Sequence, residues 1–175
     1  MFIPLAEVPS RIMGGGEERH YFYFHERNAD LPVEVVITRL SPYFGAEKNW
    51  HNHDFVEEFS VPLTGEIVIA EKHDNKVQKR RHISKSILRG DEWVVGIECS
   101  NSRQVKIMIE SASGSRREET VAFDPQFTEG KNLHKVENPT NSMVTMLTMK
   151  RVPKKIFRKD PLIFKVDRNP ALEER

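Results

Sequence analysis

A succession of short strand-like segments, separated by turn residues, constrains the fold of this chain more than any other feature. In residues 31–40, Val33, Val35 and Ile37 alternate with Glu34 and Thr38, and a similar alternation recurs in residues 103–111. Segments of this kind follow one another at intervals of about 8–12 residues, which is typical of β-sandwiches and β-barrels. No amphipathic helical pattern of about ten residues precedes the C-terminal tail. The sequence therefore predicts an all-β domain.

Three clusters of turn-forming residues divide the strand-like segments. Asp74 and Asn75 separate two β-rich runs, and so do the small residues of 111–115, so both clusters predict turns between strands. Thr64 and Gly65 separate two further runs and predict a hairpin.

The charge balance and the cysteine count exclude several functional classes. The chain has 175 residues, with 27 Lys and Arg against 26 Asp and Glu, so its formal net charge is +1. A chain this close to neutrality shows no overall electrostatic preference for nucleic acids or membrane surfaces. Cys99 is the only cysteine, which excludes an internal disulfide and any multi-cysteine metal site.

The length and the terminal patterns predict one cytoplasmic domain with two appendages. The first residues lack the basic region and apolar run of a secretory signal, and no apolar stretch approaches the ~20 residues of a membrane helix. We expect a barrel over residues 31–150, an N-terminal extension over residues 1–30 and an irregular tail over residues 151–175. Aromatic residues of the extension and apolar residues of the tail are candidate subunit contacts. A homodimer is the simplest closed assembly.

Two histidines in the stretch WHNHDFVEEFSVPLTG (50–65) are candidate metal ligands. Residues i and i+2 of a strand point to the same face, so His51 and His53 can converge on one ion. A His-x-His pair by itself more often has a structural role or lies on the protein surface. Two adjacent glutamates, Glu57 and Glu58, follow at a distance that allows a carboxylate ligand to join them.

The spacing within this stretch resembles the first motif of the cupin family, position for position. Gly45, His51, His53, Glu58 and Gly65 occupy the places of that motif. The resemblance implies a small jelly-roll β-barrel, or double-stranded β-helix, over roughly residues 33–150. It also implies a metal in the mouth of the barrel, bound by two histidines and a glutamate from this motif and one histidine from a second motif.

The second motif is matched more loosely. His134 is followed after three residues by Asn138 and Pro139 and then by a strong strand, as in the family, although the upstream Pro-x-Gly step is absent. A rival alignment places the histidine position near Asn101, which would leave the metal one ligand short. We prefer His134, at the cost of a long segment between the motifs that contains an extra hairpin.

The choice between the adjacent glutamates stays open from the pattern alone. Neighbouring strand residues face opposite sides, so only one carboxylate can enter the barrel. The family spacing selects Glu58, whereas Glu57 shares a face with Phe59 and Val61, which would be the inner face if the barrel interior were the main core. We take Glu58 and keep Glu57 as the alternative. The implied ligand and catalytic set is His51, His53, Glu58 and His134.

The resemblance implies a mononuclear centre for one divalent ion, with iron preferred and manganese, nickel or zinc as alternatives. We expect a small-molecule enzyme with dioxygenase-type chemistry. Residues 133–147 look like the second-motif region of thiol dioxygenases, which however lack the glutamate of the first motif. A sugar or keto-acid isomerase or epimerase is the alternative enzyme, and a small-molecule-binding cupin without catalysis is the alternative outside enzymes.

Other polar groups are predicted to have structural roles or to lie on the protein surface. The remaining histidines lack ligand spacing, and the basic runs 78–82 and 150–159 suggest solvated strand faces more than a nucleic-acid site. Nothing near Cys99 in the sequence would lower the pKa of its thiol, so we expect it to be unreactive.

Overall fold

The computed structural model describes residues 1–13, 17–45, 50–52, 55–124, 128–129, 132–161 and 163–166. Thirteen strands and two short helices lie in these ranges, with two short 3-10 turns at Leu5–Glu7 and Phe24–Glu26. The strands are β1 (Ile3–Pro4), β2 (Ser10–Met13), β3 (Glu17–Tyr23), β4 (Val33–Leu40), β5 (Glu57–Pro62), β6 (Glu66–His73), β7 (Lys76–Ile83), β8 (Trp93–Glu98), β9 (Gln104–Glu110), β10 (Arg116–Ala122), β11 (Thr128–Glu129), β12 (His134–Glu137) and β13 (Val144–Arg151). The helices are α1 (Lys154–Lys159) and α2 (Ile163–Val166).

The strands form three antiparallel sheets. The central sheet has the order β11-β5-β13-β4-β3-β2, the back sheet the order β1-β8-β9-β10, and the front sheet the order β12-β6-β7. The prediction of an all-β fold is confirmed. Strands distant in the sequence lie side by side in the central sheet, where β13 separates β4 from β5.

The central sheet packs its apolar face against the back sheet, and this contact is the larger core. Alternation along each strand places the apolar side chains on one face of the sheet. Close packing of two such faces removes a large apolar area from water, which is the main stabilising term of the fold. The central sheet contributes Phe22, Val33, Val35, Ile37, Phe59, Val61, Leu147 and Met149, and the back sheet Val94, Ile97, Val105, Ile107, Ile109 and Val121.

The opposite face of the central sheet turns toward the front sheet. At one end this contact is apolar, because Leu40, Val144 and Met146 pack with Ile67 and Ile69 of β6. Toward the other end the same face becomes polar. It carries the buried side chains of Glu34, Glu58 and Lys150, and Glu58 faces the buried His134 of the front sheet; this buried polar region between the two sheets is called the polar chamber below.

The turns between strands were predicted in part. Asp74 and Asn75 have positive φ angles of 45° and 67° and join the paired strands β6 and β7, as expected. The predicted hairpin at Thr64 and Gly65 is wrong, because β5 pairs in the central sheet and β6 in the front sheet. Gly65, at φ +59°, instead turns the chain from one sheet to the other.

The long segment between the two motifs builds most of the back sheet. An extra hairpin was expected there, and the hairpin β9–β10 is present with β8 antiparallel on its other side. β1 from the N-terminus completes this sheet by pairing with β8. Within this segment, β8–β10 cover the rear of the central sheet with apolar side chains, whereas β6 and β7 belong to the front sheet.

The described parts of both terminal segments pack within the chain. β3 pairs with β4 along its length, and its Phe22 is fully buried. The tail, expected to be irregular, contains α1 and α2, whose Phe157 and Phe164 pack against the ring of His25 at centroid distances of 5.4 and 4.9 Å. The homodimer stays a prediction. Within the described residues, no helix is long and apolar enough to cross a membrane.

Candidate metal centre

A two-residue β-bridge brings the two motifs together. His51 donates its backbone N–H to the carbonyl of His134 at 3.0 Å, and His134 returns a bond of 2.8 Å to the carbonyl of His51. Residues paired in this way project their side chains to the same side of the sheet. The two imidazole rings accordingly lie 4.5 Å apart, centroid to centroid.

Glu58 approaches this histidine pair from the central sheet. Its Oε2 oxygen lies 3.5 Å from Nε2 of His134 and 4.0 Å from Nε2 of His51. The candidate ligand atoms of His51, Glu58 and His134 all lie within 4.8 Å of one another. Residues from three separate strand segments thus converge at one point of the polar chamber. The predicted fourth ligand, His53, lies outside the described residues.

Strand alternation separates the two glutamates. Glu57 lies on the face of β5 that also carries Phe59 and Val61, as the pattern indicated, and that face meets the back sheet. Its carboxylate is exposed and pairs with Arg151 at 2.6 Å. Glu58 faces the histidines because the main core lies behind the central sheet and not in the chamber.

A second hydrogen bond orients the ring of His134. Its Nδ1–H donates to the carbonyl of Asn132 at 2.8 Å, which leaves Nε2 directed at Glu58. Ligand histidines in metalloproteins are commonly held through their second nitrogen in this manner. His134 is fully buried, and the side chain of His51 is about one-sixth exposed. The cluster is therefore almost closed to solvent on the side of His134.

Lys150 contacts the other oxygen of Glu58, which sequence reasoning did not anticipate. Its Nζ lies 3.1 Å from Oε1, so the two oxygens of this carboxylate have different neighbours. Register explains the contact, because Lys150 on β13 lies directly opposite Glu58 on β5 and opposite Glu34 on β4. Burial would lower the pKa of Lys150, but the negative charges of Glu58 and Glu34 outweigh it and raise this pKa to about 12.

Two further motif residues, Gly45 and Asn138, shape the backbone and do not enter the cluster. Gly45 has φ +81°, and a Cβ atom there would overlap the carbonyl oxygen of Val136 in β12. Only glycine fits such a close approach. Asn138 is buried and its amide donates to the carbonyls of Ser41 and Ser142 at 3.0 and 2.7 Å. Both residues hold the loop after β4 against the start of the β12–β13 connection.

The rival position near Asn101 lies elsewhere in the fold. Asn101 is exposed in the turn between β8 and β9, where its Oδ1 accepts backbone N–H groups of Arg103 and Gln104. Together with Glu57 it lines a surface cleft of about 490 Å³. Burial raises the pKa of the nearby Cys99 thiol to about 11, which agrees with an unreactive cysteine.

The front sheet contributes two further polar side chains to the wall of the chamber. Arg80 and His82 of β7 lie opposite Ile69 and Ile67 of β6, so they share the face that turns toward the central sheet. Arg80 lies 3.6 Å from the carboxylate of Glu71. The alternation of residues 76–83 could have indicated them, but the run of basic residues masked the pattern.

The donor set fits a divalent transition metal. Neutral imidazole nitrogens suit iron, zinc, copper and nickel, and a carboxylate adds a hard oxygen donor. Two histidines and one carboxylate with open positions are the set found in non-haem Fe(II) oxygenases. In the described residues, His51, Glu58 and His134 provide this set at mutual distances that one ion can span.

Comparison with protein-family models and with curated proteins returned no match. Comparison with solved structures returned oxalate decarboxylase from Bacillus subtilis, as a variant, with 9% identity and TM-score 0.48 over 87% of this chain and 29% of that chain. Oxalate oxidase in complex with the substrate analogue glycolate has 11% identity and TM-score 0.49 over 86% of this chain and 58% of that one.

A third similar structure is Drosophila melanogaster CENP-C bound to CAL1, with 8% identity and TM-score 0.46 over 83% of this chain and 82% of that chain. This chain spans less than two thirds of the length of either oxalate enzyme.

The described residues form an antiparallel all-β fold that agrees with the one implied by the resemblance to the cupin family. In it, His51 and Glu58 of the first motif meet His134 of the second, as that resemblance implied. The larger apolar core lies between the central sheet and the back sheet, which is built mainly by the long segment between the motifs.

Proposed function

We propose that this cupin binds one divalent metal ion through His51, Glu58 and His134, with His53 as a fourth ligand, and uses it on a small-molecule substrate. The convergence of the three described side chains inside the polar chamber is the observation that carries this proposal. The fourth ligand rests on the family motif. Iron is the preferred ion, and the reaction we favour is of the dioxygenase type.

Each residue of the site would have a separate role in metal binding. His51 and His134 present Nε2 atoms, and Glu58 presents Oε2, so all three donors face one position. The carbonyl of Asn132 keeps His134 in the tautomer in which Nδ1 carries the proton, so that Nε2 could ligate a metal ion. A bound ion would supply Lewis acidity and open coordination positions for substrate or dioxygen. The buried walls of the chamber would exclude bulk water from that position.

A metal-free, small-molecule-binding barrel is the second candidate. The ammonium of Lys150 already lies beside the carboxylate of Glu58, so part of the negative charge of the cluster is neutralised without an ion. A non-catalytic cupin would use the same chamber to hold a ligand by hydrogen bonds and charge. The two candidates differ first in metal content.

The first experiment is metal analysis of the purified protein by inductively coupled plasma mass spectrometry. Wild type is compared with His51→Ala and His134→Ala, and with His73→Ala as a control on an exposed histidine of the front sheet. We expect about one equivalent of metal in wild type and the control, and loss in both site variants, because each removes a ligand. A wild type that neither carries nor takes up metal would favour the metal-free candidate.

A second measurement addresses the reaction type without knowledge of the substrate. Anaerobic protein loaded with Fe(II) is exposed to nitric oxide, which binds where dioxygen would bind. A new electron paramagnetic resonance signal in wild type but not in Glu58→Ala supports an open coordination position at this site. If metal binds and no signal forms, the oxygenase proposal fails while metal binding stands. The homodimer and the cytoplasmic location stay predictions from the sequence.

A further inference from the structure

The two oxygens of Glu58 are engaged by groups of different kinds. Oε1 lies 3.1 Å from the ammonium of Lys150, and Oε2 faces the two histidines at 3.5 and 4.0 Å. A carboxylate held in this way has only one oxygen directed at the candidate metal position. The neighbour of the other oxygen is a full positive charge.

Lys150 is held in place by the pairing of the central sheet. β13 lies between β4 and β5, and the register sets Lys150 directly opposite both Glu34 and Glu58. All three residues are buried, with 9% exposure for Lys150, 5% for Glu58 and none for Glu34. Moving this buried ammonium into solvent would break its ion pair with Glu58 inside the protein, which is strongly unfavourable.

A cation bound at Oε2 would therefore share its carboxylate with a fixed positive charge. Like charges separated by one carboxylate repel, and the repulsion is stronger inside a protein than in water because the effective dielectric constant is lower. The same contact keeps Glu58 turned so that Oε2 faces the histidines. Lys150 thus orients the ligand and weakens the attraction of the site for the ion.

We propose that Lys150 is a positioning residue that sets the metal affinity of this site, by holding Oε1 of Glu58 and opposing with its charge a cation at Oε2. The inference rests on the proposed function, since it concerns the same metal position. It implies that metal occupancy follows availability of the ion, and that the apo chamber is stabilised by the Lys150 ammonium.

The test measures Mn²⁺ affinity, by electron paramagnetic resonance of the free ion, in wild type, Lys150→Met and Lys150→Arg. Methionine keeps the length of the side chain without its charge, so we expect the Kd to fall by at least about tenfold. Arginine keeps the charge, and we expect a Kd within about threefold of wild type. The Lys150→Met apoprotein should melt at a lower temperature and gain more from saturating Mn²⁺ than wild type gains.

Lys135→Met is the matched control. Lys135 is also a buried lysine, but it is adjacent to His134 on β12 and therefore points to the opposite face of the front sheet. Its Nζ bonds the carbonyl of Gly45 at 2.7 Å and pairs with Glu137 at 2.8 Å. This variant loses a buried positive charge without touching Glu58, so its Kd should stay near that of wild type.

The outcomes separate the inference from the proposed function. If wild type binds Mn²⁺ and Lys150→Met binds it equally or more weakly, the role of Lys150 is refuted and the metal site stands. If only Lys150→Met binds Mn²⁺, the inference is supported and the native chain is metal-free. If neither binds, both are refuted. Should Lys150→Met fail to fold by circular dichroism, Lys150→Gln takes its place with the same expectations.

Discussion

Asn138 offers a quantitative test of how the second motif supports the chamber. Its side chain is 1% exposed and makes four hydrogen bonds of 3.0 Å or shorter. The amide donates to the carbonyls of Ser41 and Ser142, and Oδ1 accepts the backbone N–H and the hydroxyl of Thr140. Asn138→Ala removes all four bonds and leaves the partner groups in a partly buried loop.

The expected loss follows from the net value of one intramolecular hydrogen bond. At about 1 kcal/mol for each bond, the free energy of unfolding should fall by about 3–4 kcal/mol, since some partners regain water. For a chain of this size that loss lowers Tm by about 10 °C. Asn138→Asp should cost more, because it turns a carboxylate oxygen toward the carbonyls of Ser41 and Ser142.

Urea unfolding followed by circular dichroism measures both variants, with Asn141→Ala as the control in the same turn. Asn141 is exposed, so its replacement should change the free energy of unfolding by less than about 0.5 kcal/mol. A loss below about 1 kcal/mol for Asn138→Ala would refute the assigned supporting role. A large loss in Asn141→Ala would show that the turn itself, and not the amide, is sensitive.

Three further predictions concern single groups. Glu58→Gln should lose metal uptake in equilibrium dialysis while Glu57→Gln keeps it, because only Glu58 faces the histidines; equal retention would contradict the site. The thiol of Cys99, with its pKa raised to about 11, should react slowly with a disulfide reagent at pH 8 and rapidly once urea unfolds the chain. Fast reaction of the folded protein would contradict the burial that raises the pKa of this thiol. Burial lowers the pKa of His82 below that of a free imidazole, despite the opposing charge of Asp124. The contribution of neutral His82 to stability is therefore complete above about pH 6.5 and is lost as the pH falls toward the pKa of the folded state. His82→Gln should flatten that part of the curve of unfolding free energy against pH, and an unchanged slope would contradict the lowered pKa.

The first motif was readable from the sequence because its residues are local and their spacing is specific. His51 and Glu58 lie where that spacing put them, and the choice of Glu58 over Glu57 agrees with the geometry. Alternation alone could not make that choice. Both faces of β5 are buried, so polarity along the strand does not show which face meets the chamber.

Lys150 could not be found in this way, because its environment depends on long-range pairing. In the sequence it begins a basic run, 150–159, that is typical of a solvated face. Its burial follows only once β13 is placed between β4 and β5. The same dependence explains the incorrect hairpin at Thr64 and Gly65, since a turn residue shows that the chain reverses but not which sheet it enters next.

The backbone anchoring of the ligands differs from one side of the chamber to the other. Glu58 belongs to a strand that is paired on both edges, and the face behind it is packed against the back sheet, so displacing it would disturb the main core. Among the described residues, the backbone of His51 is joined to β12 by its two hydrogen bonds with His134. Local opening in proteins takes the least-bonded path. Displacement of Glu58 would therefore disturb more of the fold than separation of the bridge between His51 and His134 would.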